Sequence, residues 1–220
     1  MEPAFSPTFL PGQTPLYFVT DHHLNAGRPK LEVIASALRG GVRLVQYRDK
    51  ELSNAEFEAE ARTALALCRK LGATFILNDR VDIAVKIGAD GVHLGQGDMP
   101  PKEARSLLGP RAILGLSTHN ESEVLAAQKE PLSYINIGPM FSTNTKEHLQ
   151  TLGLEEVLRL ARLSKHPWTT MGGIKREHLR ALFTQGVRTI ALVTTISLAK
   201  DVEKETRILL EEISTIPDNF

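Results

Sequence analysis

Residues 74–98 read TFILNDRVDIAVKIGADGVHLGQGD, and this stretch decides the fold class. It opens with a short apolar run over Thr74–Leu77, continues with an amphipathic stretch and reaches a second short run over Gly91–Leu94. Short apolar runs are typical of buried strands, and the amphipathic stretch between them is typical of a crossover helix. The sequence therefore predicts a β–α–β unit here, with two parallel strands.

The same alternation extends in both directions, from residue 16 to about residue 213. It predicts six further strands, at Leu16–Thr20, Arg43–Tyr47, Ile113–Ser117, Tyr134–Ile137, Thr169–Met171 and Thr189–Val193. The clearest helix follows the second strand, where Ser53 and Glu56 have the spacing of a capping box. Another helix is predicted to begin near Asn120, and the last to run from about Leu198 to Ile213.

Eight strands, each followed by a helix, predict a single (β/α)8 TIM barrel over residues 16–213. We expect a proline-rich leader over residues 1–15 and a short tail over residues 214–220. An open doubly wound sheet is the main alternative. The chain has no glycine-rich first turn of the GxGxxG type, which weakens that alternative.

The composition is that of an ordinary soluble globular protein of 220 residues, with 42% hydrophobic and 24% charged residues. Lys+Arg and Asp+Glu both number 26, so no overall field would attract nucleic acid or an acidic membrane. No apolar run has the length of a membrane span, and the leader does not resemble a signal peptide, so we expect a cytoplasmic protein. The single cysteine, Cys68, lies on the apolar stripe of a helix, where we expect it to be buried in packing.

In a TIM barrel the chemistry lies where the strands end. The second strand ends in QYRDK, in which Gln46, Arg48 and Lys50 share one face. Tyr47 and Asp49 lie on the opposite face. An amide and two cations at a barrel mouth indicate an anion clamp, and a solvated strand end with ordinary surface charges fits this segment equally well.

Two carboxylates follow the next two strands. Asp79 alone would be read as a helix cap, and Asp98 alone as a turn residue. Beyond adjacent strands they lie together, and hard oxygen ligands of this kind suit a Mg²⁺ ion that also binds substrate phosphates. We interpret His93 as a packed or outer histidine rather than a metal ligand.

Later strand ends carry hydroxyls and glycines. Ser117 ends the fifth strand, and the loop after the sixth offers two hydroxyls and a cation within residues 143–146, a pattern that a polar surface loop also shows. The Gly172–Gly173 pair follows the seventh strand and Val193–Thr194 the eighth, which is where this fold builds phosphate sites from backbone amides. The residues thus predict two anion sites, one with metal and cations and one with amides and hydroxyls.

The chain resembles the thiamine phosphate synthase family over about residues 16–196. The motifs that carry the resemblance are LYFVTD, VQYRDK, ILNDRVDIAVKIGADGVHLGQGD, GLSTH, GPMFSTNTK, GLE, GGI and ALVTTI. The resemblance implies a Mg²⁺-dependent transferase that joins an aminopyrimidine methyl diphosphate to the nitrogen of a thiazole phosphate and releases pyrophosphate. Its partners would be these two small molecules, with neither nucleic acid nor a membrane involved.

The family's residue roles carry over to the matching positions of this chain. Arg48, Lys50 and Lys146 would supply the catalytic positive charge, and Asp79 and Asp98 would hold Mg²⁺. The implied substrate-binding residues are Gln46, Tyr47, Arg48, Asp49, Lys50, Asn78, Ser117, Thr143, Asn144, Thr145, Lys146, Gly173, Val193 and Thr194.

The chain departs from the family pattern at a few positions and leaves two rival functions open. Ser142 stands where the family usually has proline, and Thr194 where it usually has serine. One rival is a thiazole tautomerase on the same barrel, with His119 as its base; the other is a non-catalytic barrel that binds a phosphate ligand. Tautomerases of this family tend to lose the carboxylate pair, which is intact here.

Overall fold

The computed structural model describes residues 10–142 and 150–217, and its strands form a closed parallel barrel. In chain order they are β1 Leu16–Val19, β2 Leu44–Tyr47, β3 Thr74–Asn78, β4 Gly91–Leu94, β5 Ile113–Thr118, β6 Tyr134–Ile137, β7 Trp168–Met171 and β8 Ile190–Leu192. Each strand pairs with its sequence neighbours, and β1 pairs with β8 to close the ring. The predicted TIM barrel is confirmed, with every strand boundary within one residue of its expected place.

Helices alternate with the strands around the outside of the barrel. They are α1 Lys30–Arg39, α2 Asn54–Lys70, α3 Val81–Ile87, α4 Pro101–Leu108, α5 Glu121–Ala127, α6 Gly153–Ala161, α7 Leu179–Thr184, α8 Thr194–Ser197 and α9 Val202–Ser214, with a 3₁₀ turn at Arg176–His178. The capping box before α2 is confirmed, because Ser53 and Glu56 exchange side-chain and backbone hydrogen bonds. Asn120 caps α5 by accepting a hydrogen bond from the backbone N–H of Glu123.

The expected last helix, over about Leu198–Ile213, is present but begins later than predicted, at Val202. A four-residue helix, α8, ends at Ser197, and α9 begins only at Val202. Asp201 explains the break, because its backbone is extended and its side chain accepts a hydrogen bond from the N–H of Lys204. An aspartate in this geometry starts a new helix rather than continuing an old one.

Alternation along the strands divides the core into two layers. The larger layer lies between the barrel and its helices and includes Phe18, Val45 and Phe75. The smaller layer fills the barrel interior, where Tyr17 and Tyr134 are both buried. Because side chains pack the barrel interior, this fold binds its ligands at the carboxyl ends of the strands.

Cys68 lies in the outer layer, on the buried face of α2, as expected. Burial, reinforced by the Asp90 carboxylate, raises the pKa of its thiol to about 12. The thiol is therefore a packing group at neutral pH.

The start of the described chain closes the end of the barrel opposite the mouth. The N–H of Gly12 donates to the Thr189 hydroxyl at 2.7 Å, and that hydroxyl donates to the carbonyl of Thr14 at 2.6 Å. Across residues 10–142 and 150–217, the helices all lack the combination of length and apolar character that crossing a membrane requires.

Candidate active site

A cavity of about 180 Å³ opens at the carboxyl ends of the strands. The residues that line it are Tyr17, Val19, Gln46, Arg48, Lys50, Asn78, Asp79, His93, Gly95, Asp98, Ser117, Asn136, Met171 and Ala191. Seven of the predicted site residues are in this lining, contributed by β2, β3, β5 and the loops after β2, β3 and β4. Barrel closure thus brings together polar groups that are spread over about a third of the chain.

The end of β2 supplies one face of the cavity. Gln46 is buried and donates its Nε2 hydrogen to the Tyr17 hydroxyl at 2.7 Å. Arg48 donates to the Asp21 carboxylate at 2.6 Å, and Lys50 pairs with Asp79. Each cation is therefore already held by a carboxylate and offers its remaining N–H groups to an incoming anion.

Tyr47 lies on the other face of β2, away from the cavity. Its buried ring packs edge-on against Phe57 of α2, with ring centres 5.0 Å apart, and its hydroxyl donates to Glu60 at 2.6 Å. The side chain of Tyr47 therefore lies outside the cavity, as the alternation along β2 predicts, and a substrate contact at residue 47 stays a prediction.

Asp49 also faces the helices. It pairs with Lys30 of α1 and accepts hydrogen bonds from the N–H groups of Glu51 and Leu52, at 2.9 and 3.0 Å. Burial alone would raise the pKa of Asp49, but Lys30 and the two backbone donors outweigh burial and keep this pKa below its ordinary value. This carboxylate therefore shapes the loop that carries Lys50 and lies outside the cavity lining, and its predicted role in substrate binding stays a prediction.

Asp79 and Asp98 approach each other at the cavity rim. Asp79 accepts a hydrogen bond from Asn78 at 2.6 Å, and Asp98 accepts one from the N–H of Gly95 at 2.7 Å. Burial and the neighbouring Asp98 raise the pKa of Asp79, although Lys50 opposes them. Two carboxyls that resist sharing a site are stabilised by a cation between them, so this pair fits a hard divalent ion.

The backbone of Asp79 is itself unusual. Its φ of 61° is in the left-handed region, which few residues other than glycine adopt. Such strain costs on the order of 1–3 kcal/mol and is concentrated at functional sites. Here it turns the chain between β3 and α3, where Asp79 meets both Lys50 and Asn78.

Sequence reasoning missed several lining residues. Asn136 is the clearest case, because an amide in the middle of the apolar strand YINI is unfavourable unless it is used. It is buried, and its oxygen accepts a hydrogen bond from the Thr169 hydroxyl at 3.0 Å. His93 is buried with both ring nitrogens hydrogen-bonded, to Tyr134 and Ser117, which agrees with its interpretation as an outer histidine.

Comparison with known proteins identifies the family. The thiamine monophosphate synthase family matches residues 16–196, which include the whole cavity lining. The chain belongs to this family. The resemblance first drawn from the sequence motifs is thereby confirmed.

Relatives of known name agree in sequence and in structure. A thiamine-phosphate synthase from Pelotomaculum thermopropionicum is 37% identical over 204 residues, covering 92% of this chain and 94% of the relative. One from Azorhizobium caulinodans is 41% identical over 201 residues, which cover 91% of this chain and 95% of the relative. Among solved structures, a thiamine phosphate pyrophosphorylase from Pyrococcus furiosus superposes with a TM-score of 0.82 at 33% identity. The superposition covers 90% of this chain and 96% of the other.

The second anion site of the family would lie at the ends of β7 and β8. Gly173 has a φ of 61°, and a Cβ added there would lie 2.3 Å from the carbonyl oxygen of Ser142. Only glycine fits, which keeps the backbone accessible to a ligand. Since the contact is with the backbone of residue 142, serine in place of the usual proline preserves it. Val193 precedes α8 and Thr194 begins it, with Thr194 exposed.

Four of the predicted substrate-binding residues, Thr143, Asn144, Thr145 and Lys146, lie outside the described residues. Their expected contacts with phosphate, and the catalytic role of Lys146, stay predictions. Within the described chain, Gly173, Val193 and Thr194 are not part of the lining of the Asp79–Asp98 cavity. The described residues predicted for the second anion site therefore lie outside this cavity.

His119, the base expected in a tautomerase, is engaged elsewhere. Its Nδ1 lies 2.9 Å from a carboxylate oxygen of Glu123, which also accepts the backbone N–H of His119. His119 is not among the described residues that line the cavity. The tautomerase alternative is accordingly not favoured.

A further group of potential metal ligands lies on the loops after β1 and β2. A carboxylate oxygen of Glu51 lies 3.0 Å from His23 Nε2 and 3.4 Å from His22 Nε2. His23 and Glu51 are mostly exposed, and the three side chains form ordinary histidine–carboxylate pairs.

Proposed function

We propose that this protein is a Mg²⁺-dependent transferase of thiamine biosynthesis. It joins 4-amino-2-methyl-5-(diphosphooxymethyl)pyrimidine to the ring nitrogen of 4-methyl-5-(2-phosphooxyethyl)thiazole, or of its carboxylated form, and yields thiamine phosphate and pyrophosphate. The observation that carries the proposal is the convergence of Asp79 and Asp98 with Arg48 and Lys50 in one cavity of a member of this family.

Asp79 and Asp98 are the residues that would hold Mg²⁺. Their oxygens are the hard ligands that this ion prefers. Burial and the neighbouring Asp98 raise the pKa of Asp79, and a cation bound between the two carboxylates would favour their charged forms. Lys50 already pairs with one oxygen of Asp79, and this pairing with a positive charge supports the assignment. When bound, the ion would help to neutralise the diphosphate leaving group.

The residues of the chain carry the rest of the reaction. The bond between the pyrimidine methylene carbon and the diphosphate oxygen breaks, and its electron pair leaves with the diphosphate. Arg48 and Lys50 stabilise the developing charge, and Ser117 donates a hydrogen bond to a phosphate oxygen. Asn78 donates its two amide hydrogens to Asp79 and to the His93 carbonyl, and so holds the Asp79 carboxylate beside the diphosphate. The lone pair of the thiazole nitrogen then forms the new bond to the methylene carbon, so no protein nucleophile is needed.

The cavity wall protects the cationic methylene group. Val19, Met171 and Ala191 supply an apolar surface beside the polar groups. Excluding water matters, because water would otherwise add to the cation in place of the thiazole nitrogen. We assign Thr143, Thr145, Gly173, Val193 and Thr194 to the thiazole phosphate, whose binding positions the second substrate, and Lys146 to the diphosphate.

The direct test mixes the purified protein with both phosphorylated substrates and Mg²⁺ and follows thiamine phosphate and pyrophosphate by chromatography. Formation of both products, abolished by EDTA and restored by excess Mg²⁺, is expected. Isomerised thiazole phosphate without coupling would establish the tautomerase. Tight ligand binding without either reaction would establish the non-catalytic barrel.

A further inference from the structure

A continuous chain of hydrogen bonds crosses the floor of the cavity. Gln46 Nε2 donates to the Tyr17 hydroxyl at 2.7 Å, and that hydroxyl lies 2.9 Å from the hydroxyl of Tyr134. The Tyr134 hydroxyl lies 2.8 Å from His93 Nδ1, and His93 Nε2 lies 2.9 Å from Ser117 Oγ. All five side chains are buried.

Gln46, at one end of this series of hydrogen bonds, determines which atom donates in each of them. An amide nitrogen can only donate, so the Tyr17 oxygen accepts from Gln46 and the Tyr17 proton is directed to Tyr134. In the reverse order the Tyr17 hydroxyl would receive two donors and its own proton would lack an acceptor at a fully buried site. Burial raises the pKa of both tyrosines, so each hydroxyl keeps its single proton.

The remaining protons follow from that start. Tyr134 accepts from Tyr17 and therefore donates to His93 Nδ1. With Nδ1 as an acceptor, the imidazole is neutral and carries its proton on Nε2, which donates to Ser117 Oγ. The Ser117 oxygen is then an acceptor within the protein, and its own proton is directed to the cavity.

We propose that Tyr17, Tyr134 and His93 are positioning residues that impose one hydrogen-bond polarity on the two ends of the cavity. Gln46 can then offer its Oε1 as an acceptor, and Ser117 can offer its hydroxyl hydrogen as a donor. Among residues 10–142 and 150–217, no group donates to Gln46 Oε1, and Ser117 Oγ has no partner other than His93. The amino group of the aminopyrimidine needs an acceptor, which Gln46 Oε1 offers. The diphosphate needs a donor, which the Ser117 hydroxyl offers. This inference rests on the proposed function, because it matches the two ends to the aminopyrimidine and its diphosphate.

The position of Tyr134, in the middle of the chain, depends on Gly115. A Cβ at residue 115 would lie 2.2 Å from Cζ of the tyrosine ring and 2.5 Å from its hydroxyl. The rings of Tyr134 and His93 are also in contact, with centres 5.4 Å apart. Packing therefore holds the hydroxyl in line between Tyr17 and His93, so that its orientation is set before substrate binds.

Tyr134→Phe tests the proposal, because it removes the central hydroxyl and keeps the ring. His93 Nδ1 then loses its donor, and Ser117 can turn its proton towards the imidazole. We expect kcat/KM for the pyrimidine diphosphate to fall about 10- to 100-fold, the loss typical of a hydrogen bond to a charged group. Ser117→Ala should cause a similar fall, and the double variant should be no worse than Ser117→Ala alone. Effects that multiply in the double variant would overturn the proposal.

Nitrogen NMR of the His93 ring provides a readout that requires no turnover. In the unsubstituted protein we expect an unprotonated Nδ1 and a protonated Nε2. The Tyr134→Phe variant should shift towards the Nδ1-protonated form, whereas Tyr47→Phe, which removes a buried hydroxyl outside the cavity, should leave the tautomer unchanged. A proton on Nδ1 in the unsubstituted protein would contradict the proposed order of donors and acceptors, even if the enzyme makes thiamine phosphate. An inactive protein with the expected tautomer would instead contradict the proposed function alone.

Discussion

The two halves of the barrel mouth are built in different ways. Around β2 to β5, charged and polar side chains bind one another, as in the Arg48–Asp21 and Lys50–Asp79 pairs. Around β7 and β8, the described part of the mouth has glycine backbone and a hydroxyl, at Gly173 and Thr194. The first half can hold its charges in place without a ligand, whereas the second depends on the conformation of its backbone. Substitutions in the two halves should therefore affect different steps, and the effects should also differ in size.

The largest effect is expected from Asp79→Ala. This change removes one of two carboxylates that would hold the ion, so turnover should fall by about 10³-fold, as expected when metal stabilisation of the leaving group is lost. Steady-state rates would measure the fall, and calorimetry would measure thiazole phosphate binding, which should change little.

Asp82→Ala is the matched control for that substitution, since Asp82 is an exposed carboxylate in the first turn of α3. It should leave turnover unaltered. Equal losses of turnover and thiazole phosphate affinity in Asp79→Ala would mean that the two halves do not act separately.

Gly173→Ala should affect the other half, with a somewhat smaller loss. A methyl group there would meet the Ser142 carbonyl at 2.3 Å, so the backbone must move. We expect the KM for thiazole phosphate to rise about 10- to 100-fold, corresponding to about 1–3 kcal/mol of strain. Pyrophosphate binding, measured by calorimetry with Mg²⁺, should be retained.

Gly72→Ala is the control for Gly173→Ala. Gly72 has a similar φ of 66° but has open space around its Cβ position. It should lower the midpoint of urea unfolding without changing either KM. If it raised the KM for thiazole phosphate as well, the loss in Gly173→Ala would reflect general destabilisation rather than a local contact.

Asp21→Asn should have a more modest effect on the first half. It keeps the shape of the side chain but weakens its pairing with Arg48, which a bond of 2.6 Å now holds. The guanidinium should become less well oriented, and kcat/KM for the pyrimidine diphosphate should fall about 3- to 10-fold, equivalent to roughly 1 kcal/mol. An increase in kcat/KM would show that Asp21 competes with substrate for Arg48 instead of orienting it.

The smallest effect is expected at Cys68, which belongs to neither half. With a pKa of about 12, its thiolate fraction at pH 8 is about 10⁻⁴, so iodoacetamide should leave the native protein unmodified over hours. Mass spectrometry should find full alkylation in urea, where the thiol regains its ordinary pKa. Rapid alkylation of the native protein would mean that α2 opens locally.

Much of the first half could be read from the sequence because strand ends are local signals. Asp79 and Asp98 each follow a short apolar run, and parallel strands bring their ends to one rim. Alternation likewise placed Tyr47 and Gln46 on opposite faces of β2, and the structure confirms this separation. The break between α8 and α9 was missed, because Asp201 reads as a helical position until its cap is seen.

The sequence by itself determined the eight strands, the capping box of α2 and the candidate metal carboxylates, since each depends on residues close together in the chain. Only the tertiary structure decided which side chains share the interior. Tyr17 and Tyr134 are 117 positions apart and share a hydrogen bond because closure of the barrel places β1 across from β6. No periodicity spans that distance, so the polarity of the cavity floor arises from packing in three dimensions.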